Sequence, residues 1–172
     1  RELEELLKRA EEVIKELKKS IDTMKEENDR LITELAKRVE DLKKRNDDVL
    51  ERLKKDNIDE KTLEKIIRKL RRENEEAMKT LKKLVDDIRK RNDEHNKELK
   101  KLARDLREDL KRKVKSEEVL KEIDKRLKEL EKEHEKVNRE SEKRLEELLR
   151  RVEKVNRDSE RELERLREER ET

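Results

Sequence analysis

Apolar residues recur along this chain in alternating steps of three and four, unbroken over three long stretches. The first runs from Leu3 through Leu7, Ala10, Ile14, Leu17, Ile21, Met24, Asn28, Leu31, Leu35, Val39, Leu42, Asn46 and Val49 to Leu53. Such spacing lines one face of an α-helix. It stops at Asp56-Asn57-Ile58-Asp59, where Asn57 can take the left-handed conformation that ends a helix and Asp59 can cap the next. Ile58 and Leu63 are placed as a hydrophobic staple around that cap. The second stripe runs Leu63, Ile67, Leu70, Asn74, Ala77, Leu81, Leu84, Ile88, Asn92, His95, Leu99, Leu102, Leu106 and Leu110. Basic residues Lys111, Arg112, Lys113 and Lys115 then suit a helix C-terminus, and Ser116 before Glu117 and Glu118 suits an N-terminus. The third stripe runs Leu120, Ile123, Leu127, Leu130, His134, Val137, Ser141, Leu145, Leu148, Val152, Val155, Ser159, Leu163 and Leu166.

The pattern predicts helices over about 2–55, 60–113 and 117–170, each roughly 80 Å long at ~1.5 Å per residue. No single helix can bury its own stripe, and short turns make sequence neighbours antiparallel. The expected fold is therefore all-α: one domain spanning 1–172, a single-chain, up-down-up, antiparallel three-helix bundle. Leu6, Val13, Ile32, Ala36, Leu50, Ile66, Met78, Val85, Ala103, Val119 and Leu149 widen the faces, as a helix with two neighbours requires.

An internal repeat of 18 residues is visible as Glu135-Lys-Val-Asn-Arg-Glu-Ser141 against Glu153-Lys-Val-Asn-Arg-Asp-Ser159. It recurs in all three helices, for Asn28 returns as Asn46 and Asn74 as Asn92. Eighteen residues make five whole turns at about 3.6 per turn, so nearly straight helices are expected, without the supercoil a strict heptad imposes. Antiparallel neighbours pair residues whose numbers share a constant sum. By that rule Asn28, Asn92 and Asn138 fall at one level, and Asn46, Asn74 and Asn156 at another. An unpaired buried amide costs about 1 to 3 kcal/mol, so these Asn are expected to bond one another, with Ser141 and Ser159 one turn away and Asn96 at the flank. Such layers fix register and orientation at some cost in stability.

Composition changes the picture only at its edges. Of 172 residues 61% are charged and 28% hydrophobic, with no Gly, Pro, Cys, Trp, Tyr or Phe. High charge at low hydrophobicity ordinarily means disorder, but the net charge is only +3 and the apolar residues are strictly patterned. The pI is about 8.9, yet acidic and basic residues alternate, so no single-sign face builds up for nucleic acid. No apolar run reaches the length of a membrane span or signal-peptide core, the aromatics of a membrane-adsorbing helix are missing, and a soluble chain is expected.

Candidate chemistry is sparse. His95 and His134 share a level close to that of Asn92 and Asn138. They read first as members of the polar layer, with a metal pair or a pH-sensitive pair as alternatives. A metal would need further ligands that the sequence does not supply. There is no phosphate loop, no nucleophile with a matched base and no loop long enough to shape a pocket. Neither enzymatic activity nor a cofactor or metal is expected.

Glu/Lys/Arg surfaces, Leu/Ile/Val stripes, minimal capped turns such as Asn57-Ile58-Asp59, and repeated Asn28, Asn46, Asn74, Asn92, Asn138, Asn156, Ser141 and Ser159 together resemble de novo designed helical bundles. The resemblance covers the whole chain. It implies an idealised scaffold with modular buried polar networks and no natural biochemical activity. The spectrin-type repeat is a natural look-alike, but the chain lacks its aromatics and has much longer helices. The alternative is one component of a designed helical assembly, or a pH-responsive bundle that binds a partner helix. A monomer is expected, with Leu6, Val13, Ile32 and Leu149 as the modest apolar surplus that self-association or a partner helix could use.

Overall fold

The computed structural model describes residues 1–55 and 57–171. Three helices, α1 (Glu2–Lys55), α2 (Glu60–Lys113) and α3 (Glu117–Glu171), make up almost all of these residues, and no strand is found among them. The fold is an all-α three-helix bundle. Helices of this length persist because no Gly or Pro interrupts them and their solvent faces are Glu, Lys and Arg, all strong helix formers.

The helix starts follow local chemistry. The Asp59 carbonyl accepts the Leu63 N–H at 3.0 Å, and Ile58 packs against the apolar cluster that holds Leu63, so the staple forms. Asp56 lies outside the described residues, and with it the peptide link that sets the expected left-handed turn at Asn57. No positive φ is found among the described residues. At α3, the Ser116 hydroxyl accepts the Val119 N–H at 3.5 Å and its carbonyl accepts the Leu120 N–H at 3.2 Å, the geometry of an N-cap.

The chain forms two compact units, each containing a segment of all three helices. The first comprises 1–30 and 88–142, the second 31–87 and 143–172. In the first, Ile14, Leu17, Ile21, Leu106, Leu110 and Leu127 belong to a core that Val114 completes beside the α2–α3 turn. In the second, Leu50, Leu53, Leu63, Ile67, Leu70 and Leu163 form a core near the α1–α2 turn.

Ion pairs mark the register inside each unit. In the first, Arg107 meets Asp124 at 2.7 Å and Arg89 meets Glu142 at 2.6 Å; in the second, Arg71 meets Glu160 at 2.9 Å. Each step of 18 residues back along α2 matches one of 18 forward along α3, as antiparallel pairing demands. Along α1 and α3 the pairs advance together, Glu11 with Arg126 and then Lys18 with Glu133, so these helices are parallel. Solvent screens such pairs and leaves them little net stabilisation. They report register more than they stabilise it.

The core is centred slightly off the simplest stripe. Leu3 and Leu102, placed on the apolar face by spacing, are exposed, whereas the flanking Ile32, Leu50, Val85 and Ala103 are buried. A helix covered by two neighbours has its most buried line between the two contacts, which brings flanking positions inward. Leu145, with 0% of its surface exposed, should therefore lose about 3 kcal/mol of stability on substitution by Ala. Leu102→Ala, at a residue 44% exposed, should change it by no more than about 0.5 kcal/mol. Chemical denaturation of the two variants checks the contrast; equal losses would contradict this placement of the core.

Candidate functional site

The unusual residues of this fold are polar ones inside it. Asn28, Asn46, Asn74, Asn92, His134, Ser141 and Ser159 are all buried. In the first unit the Asn28 amide donates to the Ser141 hydroxyl at 3.0 Å, joining α1 to α3. In the second the Asn74 amide reaches Ser159 at 3.5 Å, joining α2 to α3. Of the layers expected from the sequence, Asn bonded to Asn with Ser141 and Ser159 adding donors and acceptors, these bonds are the amide-to-serine part. A small hydroxyl on α3 is met by an amide from a neighbouring helix, α1 in one unit and α2 in the other. The amide-to-hydroxyl bond repeats, but the helix that supplies the amide does not.

Elsewhere the polar groups are less well served. Asn46 is 2% exposed, and neither its amide nitrogen nor its oxygen has a protein partner. The side-chain oxygens of Asn74 and Asn156 are likewise unpaired. Asn96, Asn138 and Asn156 are half-buried, at the margin of the core. Asn92 is 3% exposed and lines a cleft.

That cleft opens between α1 and α2 in the first unit and has a volume of about 540 Å³. Val13, Leu17, Met24, Leu99 and Leu102 supply its apolar wall, and Ser20, Thr23, Asn28, Asn92 and His95 its polar one. No loop shapes this cleft; it lies between helix faces. The reason it exists is side-chain size: Ser20 and Thr23 on α1 leave room that long apolar side chains would fill. The second unit has its own cleft of about 300 Å³, lined by Val49, Leu53, Ile58, Ile66, Leu70 and charged residues, with no hydroxyl or imidazole.

At the edge of the larger cleft the two histidines meet. Nε2 of His134 lies 3.0 Å from Nδ1 of His95, and the ring planes are 9° apart. A nitrogen contact this short is closer than face-to-face stacked rings allow, so the rings lie edge to edge and share one N–H···N hydrogen bond. The other nitrogen of His95, Nε2, is 2.5 Å from the Ser20 hydroxyl. One tautomer of each ring makes the run continuous from Ser20 through His95 to His134. His134 is 1% exposed, His95 is half-buried and Ser20 borders the cleft. Among the described residues there is no group of three or more His, Cys, Asp or Glu that could hold a metal ion.

Sequence reasoning placed the two histidines together and missed Ser20, which is off the apolar stripe. The repeat held the signal. Eighteen residues away in the matching directions, Ser20, His95 and His134 are replaced by Arg38, Ala77 and Val152. Core positions that are apolar in one copy of the repeat are imidazoles in the other.

Burial lowers the pKa of both histidines below the ordinary value of 6.5. For His134 the neighbouring His95, and Lys100 on α2, push the same way against Glu135; for His95 Glu98 and a hydrogen bond to the Ser20 backbone oppose burial. On the α1 side the cleft presents Glu16, Lys19 and Glu27, of both signs. Three carboxylates at the surface, Glu11 exposed and the other two half-buried, are lowered chiefly by hydrogen-bonded cations: Glu11 by Arg126, Asp124 by Lys128 and Glu162 by Lys54.

A solved structure described as a computationally designed three-helix bundle aligns with 96% of this chain and 80% of its own length, at a TM-score of 0.56 and 18% sequence identity. At that identity the likeness is one of fold. No protein-family description and no curated protein sequence matches the chain.

A neutral, buried imidazole that would be charged in the unfolded chain makes stability depend on pH. Below about 6.5 the unfolded state takes up protons first, so stability is complete above that pH and declines as pH falls toward the depressed native values. The ion-paired carboxylates act in the same direction, but only from 4.5 or 3.8 downward. The denaturation midpoint should therefore drop between pH 7 and pH 5. Replacing both rings by the residues the repeat carries, His95→Ala with His134→Val, should flatten that interval. Urea titrations at several pH values decide, and a parent chain that is already flat there refutes the expectation.

Proposed function

We propose that the chain is a designed structural scaffold with no natural biochemical activity, whose buried Asn and Ser residues set helix register and orientation. The observation that carries this reading is the recurrence of Asn-to-Ser hydrogen bonding in both units, at Ser141 and again at Ser159 18 residues later. A residue pattern that repeats a polar group in the core at fixed spacing costs stability, and what it supplies is discrimination against shifted pairings. The whole-length likeness in fold to a designed three-helix bundle supports the same reading.

Several properties belong with it. The chain acts as one domain over 1–172, since each helix contributes to both units. No partner, cofactor or nucleic acid is required. Among the described residues no helix is long and apolar enough to cross a membrane. Among the described residues Leu3 and Leu102 are the exposed large hydrophobics, too few and too scattered for a self-association face, so a monomer is proposed.

Light scattering should return the monomer mass of 21.2 kDa; a dimer would overturn that part. Asn46→Leu should raise stability by about 1 to 3 kcal/mol, because an amide without a protein partner leaves the core. Replacing Asn28, Asn92 and Asn138 together by Leu should likewise preserve or raise the denaturation midpoint, while amide NMR spectra show multiple states or the mass distribution broadens. If the triple variant keeps a single sharp spectrum and the same mass, these residues do not specify the fold.

A further inference from the structure

The Ser20, His95 and His134 run is not needed by a scaffold, and the second copy of the repeat does without it. We propose that it is a hydrogen-bonded nucleophile and base, able to take the acyl group of an aryl ester of a short carboxylic acid held in the α1–α2 cleft.

Three observations combine. The first is connectivity: Ser20 Oγ is 2.5 Å from His95 Nε2, and His95 Nδ1 is 3.0 Å from His134 Nε2. When Nε2 of His95 accepts the serine proton, Nδ1 carries the other proton and donates it to His134, so the deeper ring holds the nearer one in the tautomer a base requires. The second is access. Ser20 and His95 border the cleft, whereas His134 is 1% exposed and out of a ligand's reach. The third is shape. A cleft of about 540 Å³ lies within the ~300 to 1,000 Å³ of small-molecule sites. Val13, Leu17, Met24 and Leu99 offer an apolar wall to an aryl group. The burial that keeps both rings neutral near pH 7 leaves His95 free to accept a proton.

The chemistry closes without another reagent than water. The Ser20 proton moves to His95 Nε2 as Oγ bonds to the ester carbonyl carbon. The bond between the carbonyl carbon and the aryloxy oxygen then breaks, and His95 Nε2 gives its proton to the departing phenolate or to bulk water, which restores the neutral imidazole. Water attacks the acyl-serine, giving a proton to His95 Nε2; the C–Oγ bond breaks, Oγ is reprotonated, and the carboxylic acid departs. Backbone N–H groups inside a helix are already bonded, so oxyanion support has to come from side chains. Thr23 and Asn92 line the same cleft and carry suitable donors. With no backbone oxyanion hole the rates will be modest.

The test is turnover of p-nitrophenyl acetate and butyrate, paired with labelling by a fluorophosphonate, which phosphonylates nucleophilic serines with loss of fluoride. The intact chain should turn over many equivalents, and the phosphonyl group should map by peptide mass spectrometry to Ser20. Ser20→Ala, which favours the helix and whose fold circular dichroism checks, should lower turnover at least about tenfold and abolish labelling. His134→Leu should lower kcat while KM holds, with an unchanged circular dichroism spectrum, which identifies His134 as a positioning residue. Turnover unchanged in Ser20→Ala, or acyl groups found only on lysine or histidine, overturns the proposal. The scaffold reading is tested separately by the solution mass and by Asn46→Leu, which lies in the second unit and keeps Ser20, Thr23, Asn92, His95 and His134 in place.

Discussion

Each helix of this protein carries an apolar face that only other helices can cover, and nearly everything else follows from that. More than fifty residues of Glu, Lys and Arg with a Leu, Ile and Val stripe have good helix propensity, yet propensity alone makes isolated helices marginal in water. Burial supplies the difference. In each unit three helix segments turn their stripes inward, and residues such as Ile21, Ile67, Leu127 and Leu163 lose essentially all contact with solvent. At about 25 cal/mol per Å² of apolar surface, this is the dominant favourable contribution to folding. The ion pairs on the outside align with the register that the core imposes.

Against that background the buried amides are conspicuous because they oppose the force that holds the helices together. Asn28 finds Ser141 and Asn74 finds Ser159, but Asn46 finds no protein group. A three-helix core can be shifted along its stripes with little loss of apolar contact, since the stripe residues are so alike. In the proposed scaffold, polar groups that need partners penalise alignments that leave them unpaired and so supply specificity, not net stability. A serine of α3 is reached by an amide of α1 at Ser141 and of α2 at Ser159.

The cleft and the imidazoles are linked by volume. Where Ser20 and Thr23 face α2, the helices enclose space, and the histidines lie at its margin with one ring buried behind the other. The deeper ring is held by the nearer one, and the nearer one by a serine at the surface of the cleft. A hydrogen-bonded chain that runs from a buried group to an accessible hydroxyl has a direction, which is why it differs in kind from the Asn and Ser pairs. Its absence from the other copy of the repeat, where Ala77 and Val152 stand, shows that the fold does not require it.

Much of this was legible in the chain itself. Period determines helix, so the three stripes and the all-α class could be read from spacing, and so could the caps at Asp59 and Ser116, because capping is local. The level shared by His95 and His134 followed from counting across an antiparallel turn. Side-chain geometry across helices could not be counted that way. Ser20 bonds His95 across α1 and α2 from a position off the apolar stripe, and Asn28 bonds Ser141 on α3. Which flanking residues were covered, which amide went unpaired and where a cleft opened all depend on how side chains of different volume fill the space between helices. Helices and caps are local, set by periodicity and near-neighbour hydrogen bonds along the chain; which polar groups meet is set by how the helices pack in three dimensions.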